Sequence, residues 1–477
     1  MNRKWGLIWV AVMACIVAVL GGTGEVSAQT SADGQYEYEL DQVTGNATLT
    51  KYLVDISSET EVVVPQQIDG HPVTALAGTY QGRDKITKVT IPAGVTAIDG
   101  TAFLQCSSIR AFEVAPDNTA YMQDAEGVLL SKDQTTLVRY PVGLHRNPAT
   151  YTIPATVTAL APYSFSGYNT SDIVFGAQLR TIGDYAFAYA GNFNTVSSWE
   201  EGTVSIGAYA FAQCTNLNVT LPASVSSFGS YAFTKCTNIQ IDISKCTAAQ
   251  IAPYMFYQCD NMHNLTLSPS VVSVGEYAFS ECTNLNGVVL SPNLTTLRKG
   301  AFANCRNLHI EEIPAGITVI EEDTFLNCQN LNVVALPEGL TTIEAGAFAG
   351  CVNIHEINIP DSVTYVAPDS FRDVDLSKVA VHAKVGTVKL KKAKKKGKRV
   401  VLSWKKVSNA DGYVIYRSVK KGKGYRKIGT VTKGSLTSFK DRKAKAGKTN
   451  YYKVRAYRVV AGVKCYGRYS NIKKCKR

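Results

Sequence analysis

The chain has 477 residues, 45% of them hydrophobic, with 50 Lys+Arg and 38 Asp+Glu giving a formal net charge of +12. That figure does not describe a uniformly basic protein: residues 384–477 hold 32 Lys+Arg and 2 Asp+Glu, a formal +30, whereas residues 29–383 hold 16 and 35, a formal −19. The split excludes one mixed-charge domain and predicts at least two units with different partners.

Residues 1–28 read as an export signal. Arg3 and Lys4 are followed by an apolar run from Leu7 to Leu20, and Val26-Ser27-Ala28 is an A-x-A-like cleavage site that would start the mature chain at Gln29. No later stretch is long and apolar enough for a transmembrane segment after signal cleavage, and no sorting motif with an apolar tail is present. The expected location is secreted or on a bacterial cell surface, held non-covalently. Residues 29–70 read as an N-terminal cap, with strands at 36–40 and 47–52 paired around Thr44-Gly45-Asn46.

Residues 71–383 repeat one phrase. Its anchors are Tyr80, Phe103, Phe165, Phe187, Phe211, Phe233, Phe256, Phe279, Phe302, Phe325, Phe348 and Phe371, and from Phe233 onward each step is 23 residues. A fixed period of this size marks a solenoid, whose units bury their apolar faces only against neighbours. In the unit from Leu331, Val334 and Leu336 suit a short strand that Pro337 ends. Leu340 and Ile343 return to the same core, and Ala347-Phe348 enters a tight turn or short helical segment. A longer step, from Phe103 to Phe165, contains an insertion at about 116–154 that reads as a β-hairpin turning near Ser131–Gln134. Between Asn192 and Gly202 the strand signal is weak.

The recurring Ile-Pro or Leu-Pro, then Val/Leu-x-x-Ile, then Ala-Phe-x-x-Cys resembles the BspA-like leucine-rich repeat over roughly residues 70–375. The resemblance implies a solenoid and a surface role linked to adhesion, and it does not identify a ligand.

Cys106, Cys214, Cys236, Cys259, Cys282, Cys305, Cys328 and Cys351 each follow an anchor by three residues, a column that reads as buried free thiols. There is no paired Cys-x-x-Cys or matching His column for a metal, and Cys246 lies off the column. Two residues before six successive anchors stand Tyr163, Tyr185, Tyr209, Tyr231, Tyr254 and Tyr277. One strand spacing apart, they would form an aromatic ladder: a cover for the Phe column or a ligand-binding surface. The six histidines are scattered, with no nucleophile motif, no phosphate loop and no His-Glu-x-x-His. Glu311, Glu312, Glu321, Glu322 and Asp323 read as a solvated acidic face, with a calcium site as the alternative. No catalytic, cofactor or metal residues are expected, and no enzyme activity.

Residues 384–477 open on Lys391, Lys392, Lys394, Lys395, Lys396, Lys398 and Arg399, which mark the boundary and are the candidate polyanion-binding residues. Val400–Trp404, Gly412–Arg417, Tyr425–Val431, Ser435–Lys440 and Asn450–Tyr457 follow as short strands. This pattern resembles a fibronectin type III domain, an antiparallel β-sandwich, and the resemblance implies a corner tyrosine near Tyr451. Tyr413, Tyr416, Tyr425, Tyr451, Tyr457, Tyr466 and Tyr469 lie among the cations, and sandwich-core alternation accounts for most of them. Cys465 and Cys475 are candidates for a disulfide, which export permits.

The fold expected is therefore mainly β with short helical or turn segments, a leucine-rich-repeat solenoid followed by a basic sandwich. The expected partners are an extracellular protein or glycan, an anionic cell-wall polymer or other polyanion, and a second copy through opposite charges. No specific nucleic acid partner is expected. The rival functions are a wall-associated spacer without a ligand and a non-catalytic accessory of a glycan-utilisation system.

Overall fold

The computed structural model describes residues 28–144, 150–168, 170–460 and 462–477. The export-signal reading of 1–28 thus lies almost wholly outside the described residues. The described chain is all strand and turn, with no helix, and it forms two compact units that divide between Gly127 and Val128.

In the first unit Tyr36–Leu40 and Ala47–Tyr52 pair antiparallel around the expected turn, and Ala47–Tyr52 then starts a parallel ladder with His71–Leu76. A second ladder runs through Thr60–Val63, Ile86–Ile91 and Ala111–Val114, also parallel.

The second unit holds most of the solenoid. Most of its turns contribute two short strands rather than one. One row includes Tyr151–Thr152, Asp172–Val174, Thr195–Ser198, Asn218–Thr220 and Gln240–Asp242. The other includes Thr136–Arg139, Ala159–Leu160, Thr181–Ile182, Ser205–Ile206 and Ser227–Phe228. Thus the Leu-x-x-Ile spacing, read as a return to the core, builds a second parallel sheet. Thr195–Ser198 forms despite its weak strand signal. The insertion hairpin forms with Leu130 opposite Leu137, and its second strand joins the parallel ladder. Tyr140, directly after that strand, takes an anchor place by stacking on Phe165 at 5.1 Å.

Of the tight turn or short helical segment expected after the second strand, the structure has turns. Phe165 to Phe371 form one continuous stack with centroids 4.9–5.8 Å apart. Around Phe279 the amides alternate in direction. Those of Tyr277, Phe279 and Glu281 donate to carbonyls of the next turn, and those of Ala278 and Ser280 close local turns three residues back. A backbone that alternates this way places Tyr277 and Glu281 in the left-handed region, with φ of 51° and 64°.

The first row breaks at His309–Ile313, where only an isolated bridge from Gly287 to His309 remains. By the 23-residue step Glu311 stands where the preceding turn places the buried Val288. A lone carboxylate is too costly to bury, so Glu311 and Glu312 turn out to solvent while Ile310 and Ile313 fill the core.

Residues after 384 form the expected antiparallel sandwich. One sheet is Leu390–Lys396, Arg399–Trp404 and Ser438–Asp441. The other orders Arg426–Val431, Gly412–Ser418 and Thr449–Val460, with Val463–Tyr466 and Lys473–Lys476 sharing the far edge of Thr449–Val460. The lysine run read as a boundary is therefore the first strand. Trp404, Tyr413, Ile415, Tyr452 and Val454 form the core between the sheets.

The sandwich is seated on the end of the solenoid. Val381 and Ala383, in the last parallel strand, pack against its core. Arg458 is buried, and its guanidinium donates to the carbonyls of Pro360 and Val363. Asn409 donates to Asp361 at 3.2 Å. The apolar end that every solenoid must cover is covered here by the basic domain.

Candidate functional site

The six ladder tyrosines stack as expected. Centroids from Tyr163 through Tyr277 are 4.7, 4.6, 4.6, 4.6 and 5.2 Å apart, with ring planes within 22°. All six have positive φ, between 51° and 61°. This conformation costs an ordinary side chain about 1–2 kcal/mol, and the same place in later turns is held by Gly300, Asp323 and Gly346, two glycines and an aspartate that tolerate it better. Ring stacking contributes about 0.5–1.5 kcal/mol per pair, so strain and stacking nearly offset each other. The stack ends where a Cβ on Gly300 would lie 2.3 Å from the Tyr277 ring, so only glycine lets that last ring lie flat on the backbone.

Because each ring face covers the next, the half-buried ladder presents ring edges and hydroxyls rather than faces. Among the described residues none hydrogen-bonds to the hydroxyls of Tyr185, Tyr209, Tyr231, Tyr254 or Tyr277. Burial, reinforced by neighbouring tyrosines, pushes Tyr185 and Tyr231 up to about 12 and raises Tyr209 and Tyr254 as well. These four hydroxyls therefore hold their protons firmly, and they are evenly spaced groups that both donate and accept. Tyr189, 56% exposed, and Tyr257, 5.9 Å from Tyr254, extend the row.

A second ladder was not foreseen. Asn216, Asn238, Asn261, Asn284, Asn307 and Asn330 form a chain in which each side-chain amide donates to the Oδ1 before it, at 2.7–3.4 Å. The signal was present as Cys-x-Asn in successive repeats. Next to it lies an open cleft of about 630 Å³ lined by Asn218, Gln240, Asp242, Asn261, His263 and Asn264, where the strand row passes from Gln240–Asp242 to a separate sheet at Asn264–Thr266.

The column cysteines are buried free thiols. They also act as donors: Cys236, Cys259, Cys282, Cys305, Cys328 and Cys351 each place Sγ 3.0–3.1 Å from the carbonyl of the preceding anchor. Burial pushes Cys236 and Cys351 up to about 12, so these thiols are not nucleophiles. Cys246 is buried too, beside the carbonyl of Pro222.

The acidic group is not brought together. Glu321 pairs with Arg298 at 3.2 Å and Glu322 with Lys299 at 2.9 Å, each across one turn. Among the described residues no cluster of three or more metal-ligating side chains occurs.

Three expectations for the sandwich are corrected. Cys465 and Cys475 are free. They sit opposite Arg458 and Asn450, eight residues apart along one strand, which is roughly 26 Å and far beyond disulfide reach. The buried tyrosine near Tyr451 is Tyr452, and its hydroxyl donates to Asp441 at 2.9 Å rather than to the backbone expected of a corner tyrosine. Of the seven interleaved tyrosines only Tyr413 and Tyr457 are buried. Lys391, Lys392, Lys394, Lys395, Lys396 and Lys398 are all exposed along or just beyond an edge strand, with Arg399 half-buried. Lysines in such places also keep an edge from pairing with other chains.

The repeat geometry defines a leucine-rich-repeat solenoid. The chain belongs to the BspA type leucine rich repeat family, whose pattern matches six copies over residues 76–125, 146–248 and 249–377, more than half the sequence. This is a family of repeat proteins with interaction roles rather than of enzymes. No curated protein matches the chain. Among solved structures it is similar to a leucine rich cell surface protein from Faecalibacterium prausnitzii, at 22% identity over 76% of this chain and 96% of that one, TM-score 0.42. It is also similar to a leucine-rich repeat protein from Eubacterium ventriosum, at 20% identity over 61% of this chain, TM-score 0.39, and spans 64% of that protein's length. An Fn3-like protein from Clostridium thermocellum matches 18% of the chain and 88% of its own at 28% identity, TM-score 0.15. No helix among the described residues is long and apolar enough to cross a membrane.

Proposed function

We propose that this is an exported surface protein of adhesion or recognition. Residues 29–70 cap a solenoid spanning 71–383 that binds an extracellular protein or glycan, and a fibronectin type III-like domain over 384–477 holds the molecule non-covalently to an anionic surface polymer. The observation that carries the reading is the tyrosine row: bulky residues kept in a strained backbone state in six successive turns, with five hydroxyls unused by the described chain. Stacking offsets the strain of the rings but makes no use of their hydroxyls, which leaves a rigid row of donors and acceptors open to a partner. The opposite formal charges, −19 and +30, support separate partners for the two regions.

The test is binding of the full-length protein to a panel of matrix proteins and glycans and to purified cell-wall sacculi, across a salt series. The protein is expected to bind sacculi in a salt-sensitive way. It should also bind a panel member in a way that Tyr185→Phe, Tyr209→Phe, Tyr231→Phe and Tyr254→Phe together weaken. Absence of any panel binding, or binding indifferent to these substitutions, would remove the recognition role and leave a spacer.

A further inference from the structure

The outer face of the larger sandwich sheet is built unlike any other surface here. On the central strand Thr449–Val460, Lys453 and Arg455 point outward, opposite Tyr416 and Val414 of the neighbouring strand. Lys453 Nζ lies 3.5 Å from the Tyr469 ring centroid and 4.6 Å from that of Tyr425. The Arg455 guanidinium lies 4.0 Å from the Tyr466 centroid and 5.1 Å from that of Tyr469. Tyr466 and Tyr469 nevertheless remain 43% and 42% exposed.

Among the described residues no carboxylate pairs with Lys453 or Arg455, although Glu338 and Asp361 of the solenoid line a cleft shared with Tyr466. The only two acids after residue 384 are Asp411 and Asp441. Asp441 is buried against Arg417 at 2.9 Å and the Tyr452 hydroxyl at 2.9 Å, while Asp411 accepts from the amide of Val459 at 2.6 Å. Lys453 and Arg455 consequently have aromatic rings for neighbours and no counter-ion among the described residues, and the shielded Nε of Arg455 meets no acceptor. A cation over a ring gains about 0.5–2 kcal/mol, but its N–H groups still lack acceptors.

We infer that this face binds an acidic polysaccharide, with Lys453 and Arg455 receiving its carboxylates and Tyr466 and Tyr469 receiving the faces of its sugar rings. Nucleic acid fits less well. Single strands are read by successive parallel aromatic platforms, and here Tyr416 and Tyr469 stand at 83° and Tyr457 and Tyr466 at 58°. The inference rests on the anionic-anchor part of the proposed function, and it moves the specific contact from the lysine strand Leu390–Lys396 to the opposite sheet.

The test uses the full-length protein and polygalacturonate, a carboxylated polysaccharide, at physiological ionic strength, with polyglutamate and single-stranded DNA as comparisons. Tyr466→Ala with Tyr469→Ala leaves the net charge unchanged and is expected to weaken polygalacturonate binding about tenfold or more, the loss of an aromatic anchor. Tyr466→Phe with Tyr469→Phe should retain it. Lys394→Ala, Lys395→Ala and Lys396→Ala together should cost about threefold or less, as screened rim charges do. A circular-dichroism melt confirms that each variant is folded. If the lysine variant loses binding and the alanine pair does not, attraction is diffuse and this site is overturned while the anchor stands. If polyglutamate or DNA binds as tightly and is equally sensitive to the alanine pair, sugar-ring recognition is overturned. If no polyanion binds, both the site and the anchor fall.

Discussion

The solenoid and the sandwich handle their cations in opposite ways. In the solenoid a cation meets a carboxylate one turn away, as Lys88 meets Glu113 at 2.8 Å and Lys299 meets Glu322 at 2.9 Å. In the sandwich carboxylates are almost absent, so Lys453 and Arg455 lie on aromatic rings while most other cations face water. Aromatics divide the same way: solenoid rings stack on one another, and outer sandwich rings stack on cations. Repetition lets the solenoid pair rings with rings and asparagine amides with asparagine amides from turn to turn. The sandwich has single, irreplaceable pairings and an unspent positive charge.

The sharpest way to break this contrast is to remove one irreplaceable pairing. Asp441→Ala removes the ion-pair partner of the largely shielded Arg417 and the acceptor of the Tyr452 hydroxyl, and is expected to cost about 3–5 kcal/mol in denaturant unfolding of the sandwich. Phe279→Ala opens a cavity in the stacked column and is expected to cost a similar amount, about 3–5 kcal/mol. Its loss should appear as local protease sensitivity around 256–302, because stability in a repeat array is carried by neighbours. A smaller effect tests the asparagine chain. Asn261→Ala removes two side-chain bonds and should cost about 1–3 kcal/mol, whereas Asn330→Ala, at an end, removes one and should cost less.

pH separates the regions further. Tyr185 and Tyr231 titrate at about 12 in the fold, above the ordinary 10.0. A raised value means that the folded state holds the proton more firmly, so this contribution is complete below pH 10 and is lost as pH rises towards 12. Solenoid unfolding followed by circular dichroism should therefore be flat through neutral pH and weaken across that window.

Much of the solenoid was legible because its physics is periodic. The 23-residue step, the buried Phe and Cys columns and the tyrosine stack all follow from equal places in equal turns. The asparagine chain obeys the same logic as Cys-x-Asn, yet polar residues in a loop look like ordinary solvation until their register is known. Tyr140 was hidden because the insertion breaks the period that identifies anchors. The end-cover role of the sandwich was not legible, since Arg458 finds the carbonyls of Pro360 and Val363 only once both domains are folded. Alternation also misled the reading of the sandwich tyrosines. Period two tells that Tyr416 and Tyr413 face opposite ways, but not which face is the core.

The central claim is that the tyrosine hydroxyls face outward for a partner rather than inward for the fold. The most direct measurement is the unfolding free energy of the full-length protein carrying Tyr185→Phe, Tyr209→Phe, Tyr231→Phe and Tyr254→Phe. Removing hydroxyls that the fold does not use should leave stability within about 0.5 kcal/mol per site, the range of neutral surface changes. A loss of about 1 kcal/mol or more at each, the worth of a made hydrogen bond, would show that the row serves the fold and contradict the account.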